Sequence, residues 1–424
     1  MVLASYCSPI QSASQIQSRL TGLLGRGTVR AMQELHLKEK ASKRIRTGHL
    51  WVFKDEIEKV VGGKGMPAGS EALFIGNDGS YLGCGYYNAA SPIAGRLLSR
   101  NREPDQKELL ERRILAALEL RARFYGTDDE GCRLVHAEGD FLPGLIIDSY
   151  GDYLVIQLLT AGMENRRQSV IDIVQKYLEP KGIVLRNDAP IRQLEELEQK
   201  VEVIGPPPPT PLRLRLEGLQ FSVSLQGGER TGHFFDQSTN RRLFRTLVPG
   251  YKVLDTYCYS GAWGLQAAAG GAKSVTFVDS SNDALELVKA NAELNGLQEL
   301  CAYEQSDVLE FFKTLIKAEK RYDCVVLDPP AFAKEEKSRS SALKSYLHLN
   351  REAIRCLHKG GLLVTSSCSY HVSADEFISV VAKAAAQQGR FARILFHGYQ
   401  SPDHPIPAGL REAAYLKCLF IQVD

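Results

Sequence analysis

Val253-Leu-Asp-Thr-Tyr-Cys-Tyr-Ser-Gly-Ala-Trp-Gly264 is an apolar run that breaks into a glycine-bearing turn, and its reading decides the fold. Gly261 and Gly264 allow close backbone approach, and Leu265 to Ala269 continue as helix. About 18 residues past the turn, Ser274-Val-Thr-Phe-Val-Asp279 is a second apolar strand ending in a carboxylate, the spacing of a nucleoside-binding crossover unit whose acid holds a ribose diol. A further strand, Cys324-Val-Val-Leu327, runs into Asp328-Pro-Pro330. Strands alternating with helices imply a Rossmann-like, doubly wound α/β domain, and Asp279 implies a nucleoside cofactor.

What the turn lacks narrows that cofactor. It is not Gly-x-Gly-x-x-Gly, and the chain has no Gly-x-x-x-x-Gly-Lys-Ser/Thr, so nothing is built to cradle a pyrophosphate or triphosphate. S-adenosylmethionine carries no phosphate. It needs an acid for the ribose, a polar contact for adenine and a close-fitting loop for the methionine moiety. Asp279 suits the first role and Asp307, in Gln305-Ser-Asp-Val-Leu-Glu310, the second. The turn from Asp255 through Tyr257, Ser260 and Gly261 suits the third. S-adenosylmethionine is therefore favoured over NAD.

Composition bounds the rest. A chain of 424 residues, 44% of them hydrophobic, holds two or three packed domains, because one core rarely grows beyond ~250 residues. Nine scattered cysteines without a Cys-x-x-Cys pair argue against a disulfide framework and against a zinc or other metal site, and suit a reducing, cytoplasmic setting. No apolar run approaches the roughly 20 residues that span a bilayer, so no membrane partner is expected. Residues 1–102 hold 14 Lys/Arg against 7 Asp/Glu, which leaves that segment at +7 and the remainder at −5 against a total of +2. That asymmetry points to an anion-facing N-terminal module.

Punctuation divides the chain. Residues 1–31 carry Arg19, Arg26 and Arg30 but no acid, a composition resembling an organellar transit peptide. The reading adopted is a disordered, dispensable extension, with translation starting at Met32. Residues 32–104 show short strands between Gly-rich turns (Gly62-Gly-Lys-Gly65, Asn77-Asp-Gly79, Gly83-Cys-Gly85), as in a small β-barrel. Residues 105–205 open with an amphipathic helix to about Tyr125, followed by strands over 145–147 and 153–158, a helix over 166–178 and further strand. Gly205-Pro-Pro-Pro-Pro-Thr-Pro211 is a stiff spacer into the last domain, 206–424.

Several separated motifs, in order, resemble one family. They are Thr231-Gly-His-Phe-Phe-Asp-Gln-Ser-Thr-Asn-Arg-Arg242, the Asp255 to Gly264 turn, Ala290-Asn-Ala-Glu-Leu-Asn-Gly296, Leu327-Asp-Pro-Pro-Ala-Phe332 and Thr365-Ser-Ser-Cys-Ser369. Leu142-Pro-Gly-Leu-Ile-Ile-Asp-Ser-Tyr-Gly151, Asp403-His-Pro405 and Tyr415-Leu-Lys417 extend the likeness from about Leu35 to the C-terminus. The resemblance is to the ribosomal RNA large subunit methyltransferase I family, class I enzymes that make 5-methylcytosine in large-subunit (23S) ribosomal RNA. It implies a PUA-type RNA-binding barrel, a central α+β domain and a Rossmann-like methyltransferase domain. It also implies rRNA as partner, with dimerisation as an option, and cofactor contacts from Asp236, Gln237 and Asp328. Departures are Glu229 where glutamine is expected, Ser238 where arginine is common, and Tyr257 and Tyr259 flanking Cys258.

The chemistry depends on Cys368. Carbon 5 of cytosine is a poor nucleophile until a thiolate adds to carbon 6 and makes it enamine-like. Cys368 follows the apolar strand Gly361-Leu-Leu-Val-Thr365, at the carboxyl end where doubly wound sheets place ligands, and the resemblance gives it the same role. Most such cysteines are buried small hydrophobes, the reading preferred for Cys324 and Cys356, and Cys258 in the cofactor turn ranks below Cys368. Attack pushes electron density toward nitrogen 3, so Asp328 is the candidate group there. Pro329 and Pro330 hold the chain extended under the base, and Phe332 is placed to stack on it. The bland reading of Asp328 is a partner for Lys334. No second cysteine follows Asp328 before Cys356, so the base that removes the carbon 5 proton is unassigned.

The cluster Lys38, Lys40, Lys43, Arg44 and Arg46 runs into Gly48-His-Leu-Trp-Val-Phe53. For Lys43, Arg44 and Arg46 the expectation is RNA contact, against the alternative of a solvated charged strand; Trp51 and Phe53 are expected in the barrel core. Two other functions remain as alternatives. One is guanine N-methylation by a sister family, against which Cys368 speaks. The other is a non-catalytic RNA-binding assembly factor, against which the Asp279, Asp307 and Asp328 set speaks.

Overall fold

The computed structural model describes residues 32–62, 66–102, 106–126, 129–227, 231–333 and 336–424. The N-terminal extension, Glu229, Lys334 and part of the Gly62–Gly65 turn therefore lie outside the described residues. The chain divides into two compact units. The first comprises the chain up to Arg215 together with Val223–Phe235 and Pro402–Ala413; the second comprises Leu216–Ser222, Asp236–Ser401 and Ala414–Asp424.

The first unit holds two sheets. A six-stranded mixed sheet runs in the order Trp51–Val52, Gly95–Ser99, Tyr81–Tyr87, Ser70–Ile75, Gln33–Leu37, Ile57–Val61. Gln33–Leu37 alternates buried and half-buried positions, and Leu35, Leu37, Val52, Phe74 and Leu97 close its core with Ala41 and Ile45. These last two belong to Glu39–Arg46, a helix. The Lys/Arg cluster is thus helical rather than a charged strand, because Ala41, Ser42 and Ile45 fall on one buried helical face.

A five-stranded sheet follows, in the order Lys200–Ile204, Gly182–Asn187, Tyr153–Leu158, Leu145–Tyr150, Gly131–His136. Gly131–His136 is a strand that sequence reading missed. Its last five residues before His136 are all buried, so no alternation marks it. Helices Gln106–Ala122 and Arg167–Leu178 cover this sheet through Leu109, Leu110, Ile114, Leu118, Val170 and Val174. Buried ion pairs fix the later segments of this unit. Arg121 binds Asp140 at 2.5 and 2.7 Å and donates to the Asp403 carbonyl at 2.7 Å. Asp148 pairs with Arg133 at 2.8 Å and accepts from Thr231 Oγ1 at 2.6 Å.

The second unit is built on a seven-stranded sheet. Its strands are β1 (Lys252–Thr256), β2 (Ser274–Asp279), β3 (Cys301–Gln305), β4 (Tyr322–Leu327), β5 (Leu357–Ser367), β6 (Ala392–Gly398) and β7 (Lys417–Val423). Their order is β3-β2-β1-β4-β5-β7-β6, with β1 to β5 parallel and β7 antiparallel to both β5 and β6. The helices are α1 (Ser238–Leu247), α2 (Ala262–Ala269), α3 (Asn282–Leu294), α4 (Val308–Lys317), α5 (Arg339–Arg355) and α6 (Ala374–Ala386). The doubly wound expectation holds, and the order reverses at β1 and β4, where such sheets bind ligands. Among the described residues no helix is long and apolar enough to cross a membrane.

Candidate active site

The loop after β1 is shaped by backbone strain. Tyr257, Tyr259 and Gly261 all have positive φ (56°, 46° and 76°), which is costly for the two tyrosines. A side chain on Gly261 would meet Val288 at 2.8 Å, and one on Gly264 would meet Phe277 at 2.3 Å. The close approach that these glycines allow is thus to the core of their own unit. Asp255, 1% exposed, accepts from the Gly264 amide at 2.8 Å with Oδ2, while its buried Oδ1 accepts no hydrogen bond. Burial, reinforced by the nearby charges of Asp328 and Asp279, pushes the Asp255 carboxyl up to about 8.

The two acids expected to hold the nucleoside sit at strand ends and are partly used by the backbone. Asp279 accepts from the amides of Tyr259 at 3.1 Å and Ser281 at 3.0 Å. Asp307 is exposed and caps α4, with Oδ1 accepting from Leu309 and Glu310 at 2.9 and 3.1 Å. Tyr257 lies within charge range of both. Burial, then Asp307 and Asp279, drives its phenol upward. The structure therefore brings Tyr257, Asp279 and Asp307 to one neighbourhood. Ser260 is buried, and its carbonyl accepts from Asn291 at 3.0 Å.

Asp328, at the end of β4, is the centre of a second cluster. Trp263 Nε1 donates to it at 2.9 Å, and Gln237 Nε2 reaches both of its oxygens at 3.2 and 3.3 Å. The same Gln237 nitrogen lies 3.1 Å from Ser366 Oγ on β5 and so ties the two strand ends together. Burial raises the Asp328 pKa, the Trp263 hydrogen bond opposes it, and the Asp236 charge adds to it. Asp236 is buried and receives the Tyr415 hydroxyl at 2.7 Å.

Cys368 follows the last residue of β5, on the strand next to that of Asp328, with Leu327 and Thr365 in register. The loops beyond β4 and β5 are joined through Ser369. Its Oγ accepts from the Ala333 amide at 3.1 Å and lies 3.0 Å from the Tyr346 hydroxyl. Pro329 is buried, and Phe332 leans on Tyr346 with ring centroids 4.7 Å apart. Cys324 and Cys356 are fully buried, and burial pushes both thiols up, Cys356 to about 12. Cys258 is buried too; burial, then Asp255 and Asp279, raises its thiol, so it makes a poor nucleophile.

Sequence reading missed Trp263 and Lys417. Lys417 Nζ donates to the carbonyls of Ser369 at 2.6 Å and Tyr415 at 2.8 Å. The only sequence signal for either was its place in a motif quoted for other residues.

In the first unit, Lys43 pairs with Glu39 at 2.5 Å and Arg44 with Glu56 at 2.5 Å, its guanidinium 4.9 Å from the Phe53 ring. Arg46 meets Asp78 at 2.7 Å. Each of these three cations thus carries an acidic partner. Trp51 packs on the barrel core and donates to Glu138 at 2.8 Å.

Comparison with known proteins matches this architecture. Residues 35–100 match the PUA-like domain family, and residues 234–370 match the family described as Conserved hypothetical protein 95. A Streptococcus mutans chain solved as a candidate SAM-dependent methyltransferase superposes with a TM-score of 0.79 at 21% identity, covering 92% of this chain and 99% of that one. A candidate methyltransferase solved in complex with SAH gives a TM-score of 0.80 at 21% identity and the same coverage. Ribosomal RNA large subunit methyltransferase I of Shewanella amazonensis is 35% identical over 396 residues, 92% of this chain and 99% of its own length. The Aeromonas salmonicida protein of that name is 34% identical over 393 residues, 92% and 98% of the two chains. With near-complete coverage of both partners and a barrel and parallel sheet in the same chain, this protein belongs to the ribosomal RNA large subunit methyltransferase I family.

Proposed function

We propose that the protein methylates carbon 5 of a cytosine in large-subunit ribosomal RNA, with S-adenosylmethionine as donor and Cys368 as covalent nucleophile. The carrying observation is the placement of Cys368 and Asp328 at the carboxyl ends of adjacent parallel strands, bridged by Gln237 and Ser366. The relatives' names supply rRNA as substrate class.

The residues fit the cofactor. The buried, unfilled Oδ1 of Asp255 is suited to a cationic amino group, whose charge would draw the raised carboxyl back to its ionised form. Asp279 would take the ribose hydroxyls, and Asp307, beside Tyr257, the adenine side; Ser260 and Gly261 shape the loop between them. When bound, S-adenosylmethionine supplies an electrophilic methyl group.

The protein's own groups do the rest. Cys368 Sγ bonds to carbon 6, and the displaced π electrons run through carbon 5 to nitrogen 3. Asp328, whose carboxyl is pushed toward its protonated form, protonates or hydrogen-bonds nitrogen 3. Trp263 and Gln237 fix that carboxyl's orientation. Pro329 and Phe332 would border the base, and Lys43, Arg44 and Arg46 would meet phosphates by exchanging their present acidic partners.

The test is to incubate the protein and labelled S-adenosylmethionine with ribosomal RNA containing 5-fluorocytosine, with Cys368→Ala alongside. An adduct that survives denaturation and vanishes in the variant is expected. Label on purines without an adduct would move the reading to guanine N-methylation.

A further inference from the structure

Lys417 is the first residue of β7 and pairs with Ser367 at the end of β5, one position before Cys368. Side chains at paired positions share a sheet face. The lysine is 6% exposed, and its two carbonyl acceptors include that of Ser369, the residue after Cys368. An ammonium is thereby fixed on the backbone of the residue after Cys368, within charge range of the thiol. Among the described residues no carboxylate touches it. Glu376 of α6 acts on it at longer range but is held by Arg339 and by Ser373 at 3.0 Å. Tyr346 of α5, hydrogen-bonded to Ser369, also faces this corner.

We propose that Lys417 is the positioning cation that holds Cys368 as a thiolate. This rests on the cysteine-nucleophile reading above and adds a residue to it. The thiol proton passes to solvent, and the sulfur lone pair forms the bond to carbon 6. After methyl transfer the carbon 5 proton passes to solvent, the sulfur–carbon 6 bond breaks with its electrons returning to sulfur, the nitrogen 3 proton returns to Asp328, and the same ammonium receives the thiolate. Burial lowers the lysine's pKa to about 8, with the Cys368 and Glu376 charges opposing, so it remains mainly a cation at neutral pH.

The test needs neither RNA nor cofactor. The rate of iodoacetamide alkylation at Cys368, read by mass spectrometry of its peptide, is measured against pH in the full-length protein, Lys417→Met and Lys417→Arg. The midpoint in the unmodified protein is expected below that of an ordinary thiol, ~8.5. In Lys417→Met it should rise by about one pH unit, with roughly tenfold slower alkylation at neutral pH, while Lys417→Arg stays near the unmodified protein. An unchanged midpoint in a folded Lys417→Met would overturn the proposal. If that variant does not fold, a midpoint at or above ~8.5 in the unmodified protein would do so. A shifted midpoint in a protein whose Cys368→Ala variant still methylates would leave the ion pair standing and remove only the cysteine-nucleophile reading.

Discussion

On the helix Glu39–Arg46, Lys43, Arg44 and Arg46 each sit against an acid. At the carboxyl end of the parallel sheet, Asp255 and Lys417 are buried and Asp328 is half-buried, and all three are hydrogen-bonded to neutral amides, an indole and carbonyls. The first arrangement costs little for Lys43 and Arg46, since exposed pairs are solvated and worth ~0–1 kcal/mol; Arg44 shares a more enclosed pair with Glu56. The second costs desolvation that fixed dipoles and amides only partly offset, and the raised carboxyls and lowered lysine record that cost. Charge that stays unneutralised after burial locates chemistry better than charge density along the sequence does.

The contrast can be broken most sharply at Cys368. Cys368→Ala should keep S-adenosylmethionine binding in calorimetry while lowering methyl transfer by on the order of 10³-fold or more. Undiminished turnover would end the covalent mechanism. Asp328→Asn should lower turnover by about 10²-fold through loss of a group that can protonate nitrogen 3, with substrate affinity nearly unchanged. An effect confined to KM would assign Asp328 to binding alone.

Asp255 sharpens the comparison through pH. Its folded pKa of about 8 exceeds the ordinary 3.8, so between these values the folded state binds more protons than the unfolded. Its contribution to stability therefore falls as pH rises through that window. Asp255→Asn cannot ionise, so melting curves should show the variant gaining on the unmodified protein from about pH 4 to about pH 8. A pH-independent difference would mean that Asp255 is not held protonated. The smallest effect belongs to Arg46→Ala. Losing this surface cation should cost ~1 kcal/mol or less in stability and, as Arg46 would exchange Asp78 for a phosphate, weaken RNA binding by roughly threefold. An unchanged affinity in a filter-binding titration would show that Arg46 keeps Asp78 and takes no phosphate.

The sheet was legible because its strands are short apolar runs ended by Asp279 and Asp328, a pattern that survives without knowledge of contacts. The basic helix was not: Ala41 and Ile45 are too few apolar positions to outweigh the surrounding charges. Asp307 also has a capping role that its place before Val308-Leu-Glu310 already signals. What sequence could not supply was convergence. Trp263 lies 65 positions from the carboxylate it binds, and Lys417 lies 48 from Ser369, so only the β1-β4-β5-β7 order brings them together.

The Trp263 hydrogen bond to Asp328 gives the molecule an optical gauge. The chain has two tryptophans, Trp51 in the first unit and Trp263 in the second. With Trp51 replaced by phenylalanine, all indole emission would arise next to the carboxyl proposed to act on nitrogen 3. Its intensity would then follow that carboxyl's protonation and the arrival of ligands in real time, without any label.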